Sequence, residues 1–457
     1  MKRFIPLFAF LVAIALMFSA CNINVAFGNA NGGDTSTTTV PESATTPEIT
    51  TPEITTPEET TSTMETTPEQ ITPEVTTPEA STPEETSLEV TTPEAVLPEV
   101  TTIEGAHIEI ITSKVTAPEV TTPEAIVPAE TTPEESELEP VELDPDCDHL
   151  FTKRIVLEQV TTKEDGKVAN VCGKCGGWQE EVLKAVKSLK ILAIGNSFSN
   201  NALTYLPIIA KELGIEEIVI GKLYRGSCTV ERHWTDAQKG ADYESFQVNT
   251  TFDANWTTYP SGQRSLIYAL KLCDWDIITF QQASGTSGVA SSLSNLQNLI
   301  DFVDANKTNP NAKFYWHMTW AYSQFSTHGS FPTYNKDQMT MYNAIIDVTK
   351  NNIATNASFA GIIPAGTAVQ NYRDNQINDS TIESKYITTD GYHLQTYSQL
   401  LVTLTWLRTL TGLSLDAVTC TSHTNVKFVK DYQLAYLKKA AEAAYLNPYE
   451  VTYVYSG

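Results

Sequence analysis

More than a hundred residues of this chain cannot contribute to any hydrophobic core. Between Gly32 and Pro145 the sequence cycles through Thr-Pro-Glu and its variants, as at Thr46-Pro47-Glu48 and Thr77-Pro78-Glu79, with hardly any aromatic residue. Prolines remove backbone donors and fix φ, and closely spaced glutamates repel, so residues 22–145 are expected to form a stiff, extended, disordered spacer. At ~3.1 Å per residue of polyproline-like chain, such a spacer reaches on the order of a few hundred Å at most, enough to cross a cell wall. It also carries the acidity: Asp34 to Asp146 holds 24 Glu and 3 Asp against Lys114 alone, within a chain of net charge −26. The chain beyond Asp146 is nearly neutral and offers no electrostatic footprint for nucleic acid.

Ahead of the spacer, Lys2 and Arg3 precede an apolar run from Phe4 to Phe18, which is shorter than the ~20 residues needed to span a bilayer. Residues 1–21 are therefore expected to be an export signal. Ser19-Ala20-Cys21 resembles the lipobox of bacterial lipoproteins, with Phe18 in place of the usual aliphatic residue; that resemblance implies lipidation of Cys21 and display on the outer face of the membrane. An ordinary secretory signal cut near Ala20 is the competing reading.

The cysteines divide by spacing. Cys147 and His149 are followed, after 22 intervening residues, by Cys172 and Cys175. This is a tetrahedral ligand set of the kind zinc favours in closed structural sites. Residues 146–184 resemble short zinc-ribbon-like modules of bacterial surface proteins, with Asp165-Gly166 as a turn between strands. A Cys172–Cys175 or Cys147–Cys172 disulfide, or free thiols, would also be compatible with an exported chain. Cys228, Cys273 and Cys420 lack metal spacing and read as buried thiols.

From about residue 185 to 457, β-rich apolar runs ("LKILAIG", "EIVIGKLY", "WDIITFQQ", "KFYWHMTWAY", "FAGIIPAG") alternate with amphipathic segments. Such alternation predicts right-handed crossovers and a three-layer α/β/α domain with about five parallel strands. Ligands of such sheets gather beyond the carboxyl ends of the strands, and Ser197 in "GNSFS" ends the first. Ser197 could be a nucleophile or merely the cap of the helix that starts there. A nucleophile needs a base, and "TTDGYHL" supplies a candidate: Asp390 can accept the Nδ1 proton of His393 and leave Nε2 to take a proton from a serine. Here too a capping aspartate beside a surface histidine is the plain alternative.

Strand-end serine, Asp-x-x-His before the last long helix, and the five-strand alternation together resemble the SGNH (GDSL-like) hydrolase superfamily, over roughly residues 188–445. The resemblance implies a flavodoxin-like SGNH fold and a serine esterase that needs no cofactor for catalysis. "WHMTWAY", "YNKDQMTMYNAI" and "IIPAGTAVQNYR" look like a subfamily of extracellular bacterial proteins related to carbohydrate esterases. The superfamily resemblance further implies an oxyanion hole built from the amides of Ser197 and Gly226. Two departures matter: Asn196 stands where an Asp is usual, and "FQQASGTSG" replaces the Gly-x-Asn-Asp block. The third donor is carried to the carboxamide of Gln282, with Ser284 second and a purely structural Gln282 left open. The expected substrate is a short acyl ester, O-acetyl or similar, on a polysaccharide; a catalytically silent glycan-binding protein and a lipid esterase or thioesterase are the alternatives. Trp234, Trp316, Trp320 and Tyr322 are candidate sugar-stacking rings, against core packing, while His233 and His317 are candidate lining residues, against a structural default.

Overall fold

Around the Cys/His motif the chain folds into a three-stranded antiparallel sheet, β1 (Phe151–Glu158), β2 (Gly166–Cys172) and β3 (Trp178–Leu183), in that spatial order, whose central strand β2 is the most buried. The computed structural model describes residues 141–373, 379–452 and 454. The leader with its lipidation candidate Cys21, and the spacer up to residue 140, lie outside the described residues.

The five apolar runs supply the parallel strands of a second, seven-stranded sheet. In chain order its members are β4 (Ser188–Gly195), β5 (Glu217–Tyr224), β6 (Ser245–Asn249), β7 (Thr257–Thr258), β8 (Ile277–Phe280), β9 (Lys313–His317) and β10 (Phe359–Ile363). In space they run β10-β9-β8-β4-β5-β6-β7. The five parallel members are thus ordered 2-1-3-4-5, a doubly wound arrangement whose switch point lies between β4 and β8. Strands β6 and β7 add an antiparallel edge that the apolar runs do not announce, because "SFQVN" has only two apolar residues, Phe246 and Val248, and β7 is two threonines.

Central strands read as continuous apolar runs because both faces are covered. Ile191, Leu192, Ile278 and Ile220 are fully buried. Helices α1 (Ser197–Leu203) and α2 (Leu206–Glu212) come after β4; α3 (Val230–Lys239), α4 (Leu266–Leu272) and α5 (Leu296–Asn306) are next; α6 (Gln338–Val348), α7 (Ala365–Arg373), α8 (Thr396–Thr411) and α9 (Asp431–Leu446) complete the domain. They sort into two packing groups: α8 touches α1, α2, α7 and α9, whereas α3, α4 and α5 touch one another. Right-handed crossovers in both directions from β4 put these groups on opposite faces of the sheet. Helix α8 is buried nearly all round, and its buried polar side chains find partners inside the domain: Thr403 Oγ1 donates to Ala202 O at 2.7 Å, and Arg408 pairs with Glu442.

All described residues belong to one compact unit. The small sheet is docked on the large domain: Gln159 Nε2 donates to the Gly412 carbonyl at 2.8 Å, Arg154 reaches the Tyr445 carbonyl, and Val160 joins the main core. Gly412, at φ 69°, lies so close to Leu183 that a β-carbon there would sit 2.6 Å from its Cδ1. Cys228 and Cys420 are buried free thiols; Cys273 is buried but is not among the free thiols.

Candidate active site

Strand β4 ends at Gly195, where the backbone is crowded: a β-carbon would lie 2.0 Å from Ser199 Oγ and 2.9 Å from Gln281 Oε1. The next residue, Asn196, caps α1, its Oδ1 accepting from the Phe198 amide at 3.0 Å. Capping is therefore the work of Asn196, and the Ser197 hydroxyl is left for another partner. That partner is His393: Nε2 lies 2.9 Å from Ser197 Oγ, bridging 196 positions of sequence.

Asp390 holds the other side of the imidazole, with Oδ2 2.7 Å from Nδ1. Its Oδ1 accepts the amides of His393 at 2.8 Å and Tyr392 at 3.1 Å, so the aspartate closes its own turn and orients the ring. Gly391 permits the turn, at φ 91° with a β-carbon position only 2.8 Å from Ser326 Cα. Partial burial works against ionisation of Asp390, but those amides and the imidazole outweigh it and hold the carboxyl below its ordinary value. An acceptor-only carboxylate requires the ring proton on Nδ1, which presents the Nε2 lone pair to the serine. The turn is pinned from outside: Trp320, a candidate sugar-stacking ring in the sequence, instead donates its Nε1–H to the Tyr392 carbonyl at 2.8 Å, and two contacts the sequence did not single out join it, Ser323 N to Gly391 O at 2.7 Å and Leu394 N to Asn201 Oδ1 at 3.0 Å.

The expected oxyanion donors fare differently. Ser197 N–H, an orphan donor at the start of α1, makes no hydrogen bond among the described residues. Gly226 N–H is engaged by Glu244 Oε2 at 3.1 Å. Gln282 is spent elsewhere: its Oε1 accepts from Val230 and Ala283, and its Nε2 donates to the carbonyl and hydroxyl of Ser292. This corrects the assignment of Gln282, which locks the β8 end to α3. Ser284 is also committed, 2.9 Å from the Tyr322 hydroxyl. The carboxamide beside the nucleophile belongs to Gln281, whose Nε2 donates to Asn196 Oδ1 at 2.6 Å and whose Oε1 takes His317 Nδ1–H at 3.2 Å. Adjacent residues of an extended chain point to opposite sides, and this one-residue step separates the two glutamines.

The other candidates are core. Trp316, Trp320 and Tyr322 are buried, and Trp234 packs edge-on against Phe302. His233 and His317 are fully buried, and burial pushes each down to about 3, so neither is a second base. A histidine not singled out by sequence, His328, stands beside the relay with its ring 4.8 Å from that of Tyr392; burial lowers its pKa against the pull of Asp390.

In the small sheet, Cys147, His149, Cys172 and Cys175 converge so that one ligand atom from each lies within 4.8 Å of all the others. Cys147 Sγ is 3.9 Å from Cys172 Sγ, far beyond a ~2.05 Å disulfide bond, and all three thiols are free. Cys175 Sγ is 3.6 Å from His149 Nδ1. The knuckle is shaped by Lys174 N–H on Cys172 Sγ and by Gly176 at φ 73°.

Fold and site together define an α/β protein that carries a serine–histidine–aspartate relay at the switch point of a doubly wound sheet. The chain belongs to the DUF4886 family, a domain of unknown function whose family profile matches residues 190–443. It is similar to a DUF4886 family protein from Bacteroides uniformis ATCC 8492, solved by crystallography at 1.50 Å: the two are 31% identical, with a TM-score of 0.52, over 58% of this chain and 97% of that one. No curated protein matches the chain.

Proposed function

We propose that this protein is an exported serine esterase of the SGNH type that removes short acyl groups from a polysaccharide. The observation that carries the reading is the unbroken relay from Asp390 Oδ2 through His393 to Ser197 Oγ, at 2.7 and 2.9 Å. Contacts of this length suit general-base activation of a hydroxyl.

In the proposed reaction, His393 Nε2 takes the Ser197 proton as Oγ attacks the ester carbonyl. The resulting oxyanion is met by the Ser197 amide at the α1 N-terminus. Collapse expels the sugar alkoxide, which receives the proton from His393, and an acyl-serine remains. Water, deprotonated by His393, then attacks the acyl carbon and restores the hydroxyl. Asp390 stays ionised and steadies the imidazolium at both steps. Gly226 is the second donor; its amide already binds an anionic oxygen, that of Glu244, which the substrate oxygen would displace. With Gln282 committed, the hole works with fewer donors than three, and each donor of this type is worth ~2.7–4 kcal/mol.

The zinc-ribbon-like reading of the small sheet is supported by geometry. Ligands at ~2.3 Å (S) and ~2.05 Å (N) from a tetrahedral zinc lie about 3.8 Å (S to S) and about 3.6 Å (S to N) from each other. The observed 3.9 and 3.6 Å match that set. Cys147, His149, Cys172 and Cys175 would hold a structural zinc, with no open position for water. The lipidation motif at Cys21 and the acidic spacer favour display at the outer cell surface, where a polymeric ester is within reach.

The test is labelling of the full chain with a fluorophosphonate together with hydrolysis of p-nitrophenyl acetate. One equivalent on Ser197 and measurable turnover are expected; a folded protein that neither reacts nor hydrolyses would overturn the assignment.

A further inference from the structure

One buried set of polar side chains, Asn196, Gln281 and His317, lies against the relay without belonging to it. Its hydrogen bonds form a chain whose direction is fixed by the backbone. The Phe198 amide can only donate, so the Asn196 atom it reaches at 3.0 Å is Oδ1, and the Asn196 NH2 faces the Cys228 carbonyl at 3.3 Å. The Gln281 atom 2.6 Å from Oδ1 must then be its NH2, which leaves Gln281 Oε1 to accept the Nδ1 proton of His317 at 3.2 Å. A ring held neutral by burial has one proton, and it is used there. The His317 ring is wedged edge-on against Trp406, 5.0 Å between centroids, and beside Trp320, which stacks on Phe198 at 4.1 Å.

We infer that Asn196 is the positioning residue of the oxyanion hole: it ties the turn that carries the Gly226 amide to the backbone that carries the Ser197 amide, and Gln281 and His317 lock its orientation. The inference rests on the esterase reading for the reaction that the two amides serve. Ser197 follows Asn196 directly, and Cys228, whose carbonyl takes the Asn196 NH2, lies two residues beyond Gly226. The turn between them needs an outside tie. Ser227 sits at φ 50°, a left-handed conformation that a residue other than glycine keeps only when its surroundings fix it. The Arg225 amide on Gly195 O, at 3.1 Å, anchors the near side of that turn, and Asn196 anchors the far side.

The chemistry of the chain also accounts for both departures from the superfamily pattern. An ionised aspartate at 196 would present an acceptor to the Cys228 carbonyl, where a donor is required; a carboxamide supplies the donor and keeps an oxygen for the Phe198 amide. Gln281, from the "FQQ" segment, holds that oxygen in place with its own NH2. The two departures therefore meet in one hydrogen bond. Neither carboxamide touches the substrate in this scheme; both act through the backbone amides of Ser197 and Gly226.

The experiment compares the full-length parent with Asn196→Asp, Asn196→Ser and Gln281→Leu. Aspartate and serine both cap a helix, so α1 keeps its start, yet ionised aspartate has no proton for Cys228 O and serine is too short to reach it. With p-nitrophenyl acetate, kcat should fall roughly a hundredfold in both Asn196 variants and about tenfold in Gln281→Leu, with KM within about threefold, because well-placed donors matter most as charge develops on the oxygen. Hydrogen exchange across residues 225–230, read by mass spectrometry, should quicken about tenfold in all three while β4 and β8 exchange as in the parent. A kcat within about threefold of the parent in both Asn196 variants, or a loss carried by KM or by a smaller folded fraction, would overturn the role. Unchanged exchange across 225–230 would overturn it too, whether or not the protein turns over an ester. A parent that neither captures a fluorophosphonate nor hydrolyses an ester would end the esterase reading, and the exchange result would still decide whether Asn196 ties the turn.

Discussion

The Cys147/His149/Cys172/Cys175 cluster and the Ser197–His393–Asp390 relay are both sets of polar side chains drawn from two stretches of sequence, yet they are organised oppositely. In the cluster, all four ligand atoms lie within 4.8 Å of one another, so each is equivalent to the next. In the relay, contacts run in series, carboxylate to imidazole to hydroxyl. Mutual proximity suits one central ion that every ligand shares. Serial contact suits a proton that must move in one direction. The number of reactive side chains does not separate the two regions; the connectivity does.

The two regions should part most sharply at Ser197. Ser197→Ala should lower ester turnover by ~10⁴–10⁶ while melting temperature and bound metal stay as in the parent. Comparable loss of both activity and metal would mean that the two regions are not independent. Cys175→Ser is the reciprocal case: elemental analysis should show about one zinc falling to none and the small sheet should melt earlier, with turnover of the folded protein within about twofold. Retention of the metal in that variant would contradict the four-ligand site.

A third test separates histidines that look alike in sequence. His233 and His317 are held neutral, at about 3, so the unfolded chain binds more protons than the folded one below the ordinary value of 6.5. Their stabilisation is full above pH 6.5 and is lost as pH falls, by roughly 2 kcal/mol each between 6.5 and 5. Asp390 is also held below its ordinary value, so its contribution has the same sign but is lost only at lower pH, as it protonates. Guanidinium midpoints at pH 7.5 and 5 check this, and a flat profile would contradict the buried neutral rings. The smallest effect is expected at Gln282. Gln282→Ala strands the amides of Val230 and Ala283 and should cost about 1–3 kcal/mol of stability, with turnover of the folded fraction within about threefold. A fall in turnover of 10²–10³ at unchanged stability would restore Gln282 to the oxyanion hole.

Sequence by itself determined the parts of this protein whose information is local or periodic. The Thr-Pro-Glu repeats carry no apolar pattern that a core could use. Five apolar runs in alternation with helices dictate parallel strands, and these are the five observed. Asp390 and His393 are three residues apart, so a single turn suffices to bring them together. Tertiary structure decided what depends on side-chain direction at the end of a strand. It turned Gln281 toward Asn196 and Gln282 toward Ser292, and it set Glu244 on the Gly226 amide across 18 residues of chain. It also buried Trp320 while leaving Tyr432 in solvent, two aromatic residues whose local sequence offers no such contrast. Composition and spacing specify which groups are present; their partners are chosen by packing, because buried donors must be satisfied by whatever chain the fold brings beside them.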